Sequence, residues 1–139
     1  MKTLVDAPHA SGRDQEASDS PIDIAVLKRL NQGEEHEPDF VSELIDVFLA
    51  DMDDRIRAMK ASLQSGQRGA IARAAHALRG SSSHFGAKRI TALCASIEAQ
   101  AKKDAPAGLD SIVGELEQER HRVRAALLEH KHRNSRATV

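Results

Sequence analysis

Tryptophan and tyrosine are absent from these 139 residues, phenylalanine occurs three times, and aromatic residues make up only 2%. A chain so poor in aromatics lacks one class of strand-favouring side chain and the side chains that stack on nucleic-acid bases. Its apolar content is mostly Ala, Leu, Ile and Val, a mixture suited to helices. A single cysteine, Cys94, rules out an internal disulfide. It falls among Ile90, Leu93, Ile97 and Ala101, where a thiol serves as a small buried hydrophobe. No apolar run approaches a membrane span, and residues 1–21 lack the apolar core of a signal peptide, so the expected compartment is a reducing cytoplasm. There is no glycine-rich nucleotide loop, no Gly-x-x-x-x-Gly-Lys-Ser/Thr sequence and no His-Glu-x-x-His pair, which argues against a kinase or a metal hydrolase.

A formal net charge of -1 conceals a polarity along the chain. Residues 1–54 carry 4 basic and 14 acidic side chains, whereas residues 120–139 carry 6 basic and 1 acidic. With no base-stacking residues and no reading motif, the basic end is read as a solvated helix terminus with cations at its negative pole, and no nucleic-acid partner is expected.

Hydrophobic periodicity divides the chain into helices. Residues 1–20 have no apolar period and are expected to form a flexible arm; residues 21–132 form the domain, and residues 133–139 a basic tail. A short helix over 22–31 on Ile24, Leu27 and Leu30 precedes a long one over 38–64. Its seam is Val41, Ile45, Phe48, Met52, Ile56, Met59 and Leu63, widened by Leu44, Val47 and Leu49. Further helices are predicted over 70–85, 88–103 and 107–130, with Gly86 in the left-handed closing position of the third. Four long helices joined by short connections pack antiparallel, so the predicted fold is all-α: a four-helix up-down-up-down bundle with a short additional N-terminal helix.

The third of these helices carries the chemistry. Ile71, Ala75, Leu78, Ser82 and Phe85 form its core-facing seam, and His76 lies off that seam. Ala72, Arg73, Arg79 and Gly80 lie one turn away and Ser83 two turns away, so the imidazole is expected on the exposed side among small residues and two arginines. Gly80 in a helix interior costs roughly 1 kcal/mol relative to alanine. Its place beside His76 suits the close approach of another surface; the alternative is a packing role toward a neighbouring helix. His84 is expected as a polar or capping residue. His9 and His36 fall in predicted loops, and His121, His130 and His132 in the basic C-terminal region.

The run His76-Ala77-Leu78-Arg79-Gly80-Ser81-Ser82, followed by Gly86-Ala87, resembles the signature of the histidine-containing phosphotransfer (HPt) domain of bacterial phosphorelays. Arg79 stands where that family usually carries lysine, and a planar fork differs from an ammonium point charge. The resemblance implies a helical bundle and a phosphocarrier without a nucleotide site of its own, with His76 as phosphoacceptor and Arg79 as electrostatic assistant. Ala72, Arg73, Gly80 and Ser83 would edge the docking surface for receiver domains of hybrid histidine kinases and response regulators. No cofactor of its own is implied; Mg2+ would come from the receiver, and a monomer is expected. The opening Met1 favours a free-standing protein over a segment of a hybrid kinase, without deciding between the two. Two other classes compete with this reading: a helical adaptor that binds a receiver or another partner without phosphorylation, and an autophosphorylating kinase module, whose common pattern has an acidic residue where Ala77 stands.

Overall fold

A computed structural model describes residues 20–32, 40–103 and 107–137. Residues 1–19 of the expected N-terminal arm lie outside the described residues. Five helices follow in order: α1 (Ile24–Gln32), α2 (Phe40–Ser65), α3 (Arg68–His84), α4 (Lys88–Ala101) and α5 (Leu109–Ala137). The last extends past residue 130 through what was expected to be the start of a tail.

Helices α2 to α5 form the predicted ring, with α2 against α3 and α5, and α4 against α3 and α5; α1 lies on α2. The apolar seams account for this packing. Ile71, Ala75, Leu78 and Ser82 of α3 and Phe85 just past its end are all buried, as are Ile90, Leu93, Cys94, Ile97 and Ala101 of α4 and Leu109, Val113, Leu116, Val123 and Leu127 of α5. Each large aliphatic side chain buried in this way contributes roughly 1.5–3 kcal/mol. Phe48 and Phe85 stack across α2 and the end of α3 at 4.6 Å between ring centroids. Val47 departs from expectation at 67% exposure, because it lies 100° from Phe48 on the flank away from the core.

The acidic N-terminal half and the basic C-terminal helix meet in space. Asp53 of α2 binds Arg120 and Arg124 of α5, while Lys60 pairs with Glu117 and Asp46 with Lys131. The basic residues therefore do more than face solvent at a helix end: three of them bind α2 and set its register against α5. These pairs are half-buried at the surface between the two helices, and surface ion pairs contribute about 0–1 kcal/mol each.

Two helix ends are closed by the same backbone device. At the end of α3, the Ala87 N–H donates to the Ser82 carbonyl at 3.1 Å and the Gly86 N–H to Ser83 at 3.2 Å; at the end of α2, Gln67 donates to Ser62 and Gly66 to Leu63. Gly86 and Gly66 have φ of +66° and +72°. They differ in surroundings: a Cβ on Gly86 would lie 2.6 Å from the Asp23 Cβ and 2.9 Å from its backbone nitrogen, whereas one on Gly66 meets nothing within 4 Å. Gly66→Ala should cost the about 1–2 kcal/mol of a left-handed L-residue, and Gly86→Ala measurably more, because α1 must shift. Urea midpoints of the two variants test this; equal losses would show that Asp23 yields freely.

Candidate functional site

The α3–α4 hairpin builds the site. Its tight turn at Phe85–Ala87 runs α4 antiparallel to α3, and the Ser82 and Thr91 hydroxyls meet at 2.7 Å across the pair, fixing the register. From that point, six residues back along α3 and seven forward along α4 bring His76 and Glu98 together, with 2.8 Å between Nδ1 and Oε2. Arg79, one turn after His76, donates from Nε to Glu98 Oε1 at 3.0 Å. One carboxylate thus holds both residues, an oxygen for each, while Lys102 Nζ lies 3.9 Å from Oε2.

Burial separates the roles. The His76 side chain is 67% exposed and that of Glu98 only 15%. Burial by itself raises the Glu98 carboxyl, but the His76 hydrogen bond and the positive charges of Arg79 and His76 outweigh it and hold the group below the usual carboxylate value. It is therefore an anion at neutral pH, and an anion only accepts hydrogen bonds. A 2.8 Å contact to it places the proton of a neutral His76 ring on Nδ1. Arg79 Nη2, 3.2 Å from the same nitrogen, then faces another donor and makes no bond there. Among the described residues nothing hydrogen-bonds Nε2 of this exposed ring, so its lone pair is free.

The residues singled out from the sequence divide around this ring. A depression of about 220 Å³ beside it is lined by His76, Arg79, Gly80, Ser83 and Thr91. Gly80 is exposed, and a Cβ there would meet nothing within 4 Å, so the packing alternative for this glycine does not hold. Ser83 turns its hydroxyl back to the Gly80 carbonyl at 2.8 Å. Ala72 packs partly against the core. Arg73 is exposed, and its guanidinium lies near Gly69, on the side of the turn before His76. The depression adjoins a hollow of about 380 Å³ that shares Arg79, Ser83 and Thr91 and is otherwise lined mainly by Val26 and alanines of the hairpin.

Glu98, 22 residues along the chain, brings a single carboxylate to His76 that the pattern of the helix bearing His76 does not show. Beneath the site Cys94 is fully buried, and that burial pushes its thiol up to about 12, as befits a core residue. His84 and His121 are exposed, and His130, half-buried, has its protonation disfavoured by burial and by Arg133 and Lys28. His9 and His36 lie outside the described residues. Among the described residues no three His, Cys, Asp or Glu side chains converge as a metal site, and no helix is long and apolar enough to cross a membrane.

Comparison with known proteins agrees with this geometry. No curated protein matches the chain. A solved structure, the histidine-containing phosphotransfer protein B (HptB) from Pseudomonas aeruginosa PAO1, superposes with a TM-score of 0.75 at 28% identity, covering 81% of this chain and 96% of that one. The Hpt domain model matches residues 43–126, the greater part of the bundle and the whole α3–α4 hairpin. The chain therefore belongs to the Hpt domain family, the histidine-containing phosphotransfer domains of phosphorelays.

Proposed function

We propose that His76 is the residue that carries the phosphoryl group, on Nε2. The observation that carries this reading is the 2.8 Å contact between Nδ1 and Glu98 under a ring that is 67% exposed: one nitrogen is committed and the other is presented to a visiting protein. Hpt domains interact with receiver domains. In the step we assign, the Nε2 lone pair forms a bond to phosphorus as the bond to the receiver's aspartyl oxygen breaks, and the aspartate leaves as a carboxylate. The Nδ1 proton stays between the ring and Glu98, whose negative charge faces the positive ring so formed. Reversal of these events passes the group to a second receiver.

Positioning and charge neutralisation dominate such a transfer. Arg79 supplies positive charge from this chain, and the magnesium ion is assigned to the receiver, next to the acyl phosphate. Gly80 and Ser83 are placed at the near edge of the docked receiver; Ala72 and Arg73, one turn earlier on α3, are placed at its margin. The partners proposed are receiver domains of hybrid kinases and response regulators, met by a monomer in the cytoplasm. The test is to incubate the protein with a phosphorylated receiver and determine the chemistry of the transferred label. Phosphate that is labile to acid and stable to alkali supports the proposal; no transfer, or an alkali-labile label, rejects it.

A further inference from the structure

Arg79 is held in an unusual way for a phosphate-binding cation. Its Nε, the nitrogen nearest the chain, is the one engaged with Glu98 Oε1, at 3.0 Å. An arginine has five N–H donors, and this bond uses one, leaving the four on the two Nη atoms. The Arg79 side chain is 40% exposed, its Nη2 stands 3.2 Å from His76 Nδ1, and both residues line the shared depression. Glu98 meanwhile fixes the ring through its other oxygen. The guanidinium and the imidazole are thus both set by one largely buried carboxylate, and their separation is set with them.

Resting on the assignment of His76 as phosphoacceptor, we propose that Glu98 is a positioning residue for Arg79: it grips Nε and thereby aims the Nη donors at the phosphoryl oxygens that appear on Nε2. The planar fork makes this double duty possible, because anchor and reaching donors are different nitrogens of one rigid group. A lysine in its place has a single nitrogen, which Glu98 would capture. Lys102 on the outer side of Oε2 is 3.9 Å away and 68% exposed, too loosely held to substitute for Arg79.

This arrangement has a signature that a purely structural ion pair lacks. With phosphoramidate as a small donor, the phosphorus–nitrogen bond of the donor breaks, ammonia leaves with the proton it already carries, and phosphorus binds Nε2. The rate of that uptake is to be compared in the parent, Arg79→Lys, Glu98→Gln and the double variant, each checked for folding by circular dichroism. Arg79→Lys should slow uptake roughly tenfold, the loss of one charge-assisted hydrogen bond, and Glu98→Gln several-fold, because its carbonyl still accepts the Nδ1 proton but no longer anchors the guanidinium by charge. The double variant should run at least threefold faster than Arg79→Lys alone, because the ammonium is released from the carboxylate to reach the phosphoryl group. Additive losses, or a Glu98→Gln rate equal to that of the parent, overturn the proposal while leaving His76 as acceptor. Label that stays in His76→Gln overturns both.

Discussion

His76→Gln is expected to reduce phosphoryl uptake from a charged receiver to background, a loss of roughly a thousandfold or more, because the substitution removes the attacking lone pair itself. The fold should be unaffected. The ring is 67% exposed, its bonded partner Glu98 keeps Arg79 and Lys102, and a glutamine amide can donate to the same carboxylate. A change in stability beyond about 0.5 kcal/mol would be unusual for such a surface site. Urea unfolding and receiver-dependent labelling of the same preparation separate the two effects. Labelling that survives in the variant would move the acceptor elsewhere, with exposed His84 as the first candidate.

Gly80→Gln should produce the opposite pairing of stability and activity. A glycine in a helix interior is about 1 kcal/mol worse than a good helix former. A side chain added at Gly80 meets nothing within 4 Å, so the variant should be the more stable protein by roughly that amount. The same side chain would occupy the 220 Å³ depression beside the His76 ring, where the proposed docking brings in the receiver's phosphoaspartate. Transfer from the receiver should fall roughly a hundredfold, while Gly80→Ala, with one added carbon, should fall much less. A higher urea midpoint with slower transfer is the expected result. Unchanged transfer in Gly80→Gln would mean that the partner approaches His76 from another side.

Much of the bundle was legible in the sequence because each helix carries its own apolar period. The seams of α3 and α4 are buried residue for residue, and Gly86 closes α3 in the left-handed conformation expected of it. Val47 was misread because apolar character alone was allowed to widen the α2 seam, although its angular position sets it aside. His76, Arg79 and Gly80 were legible as a group because they lie within five residues on one helix. Glu98 was not: it lies 22 residues from His76, and its place at the site depends on the hairpin register. A coarse signal was present, since His76 lies ten residues before Gly86 and Glu98 twelve after it, which puts both about three turns from the hairpin bend, with Glu98 next to the buried Ile97. Reading helices one at a time leaves such cross-helix pairs unseen. The charge polarity had a similar fate, for α2 and α5 complement each other only once they are known to be antiparallel neighbours.

Glu98 and Arg79 turn an exposed histidine into an oriented one. The carboxylate holds Nδ1 of the ring with one oxygen and Nε of the guanidinium with the other, and in the proposed reading the open surface at Gly80 admits the partner. The most direct test is a nuclear magnetic resonance measurement on protein with ¹⁵N-labelled histidines, phosphorylated and then examined for phosphorus–nitrogen coupling. The account predicts one coupled nitrogen, Nε2 of His76, with a proton still on Nδ1; phosphorus on Nδ1, or on any other histidine, would contradict it.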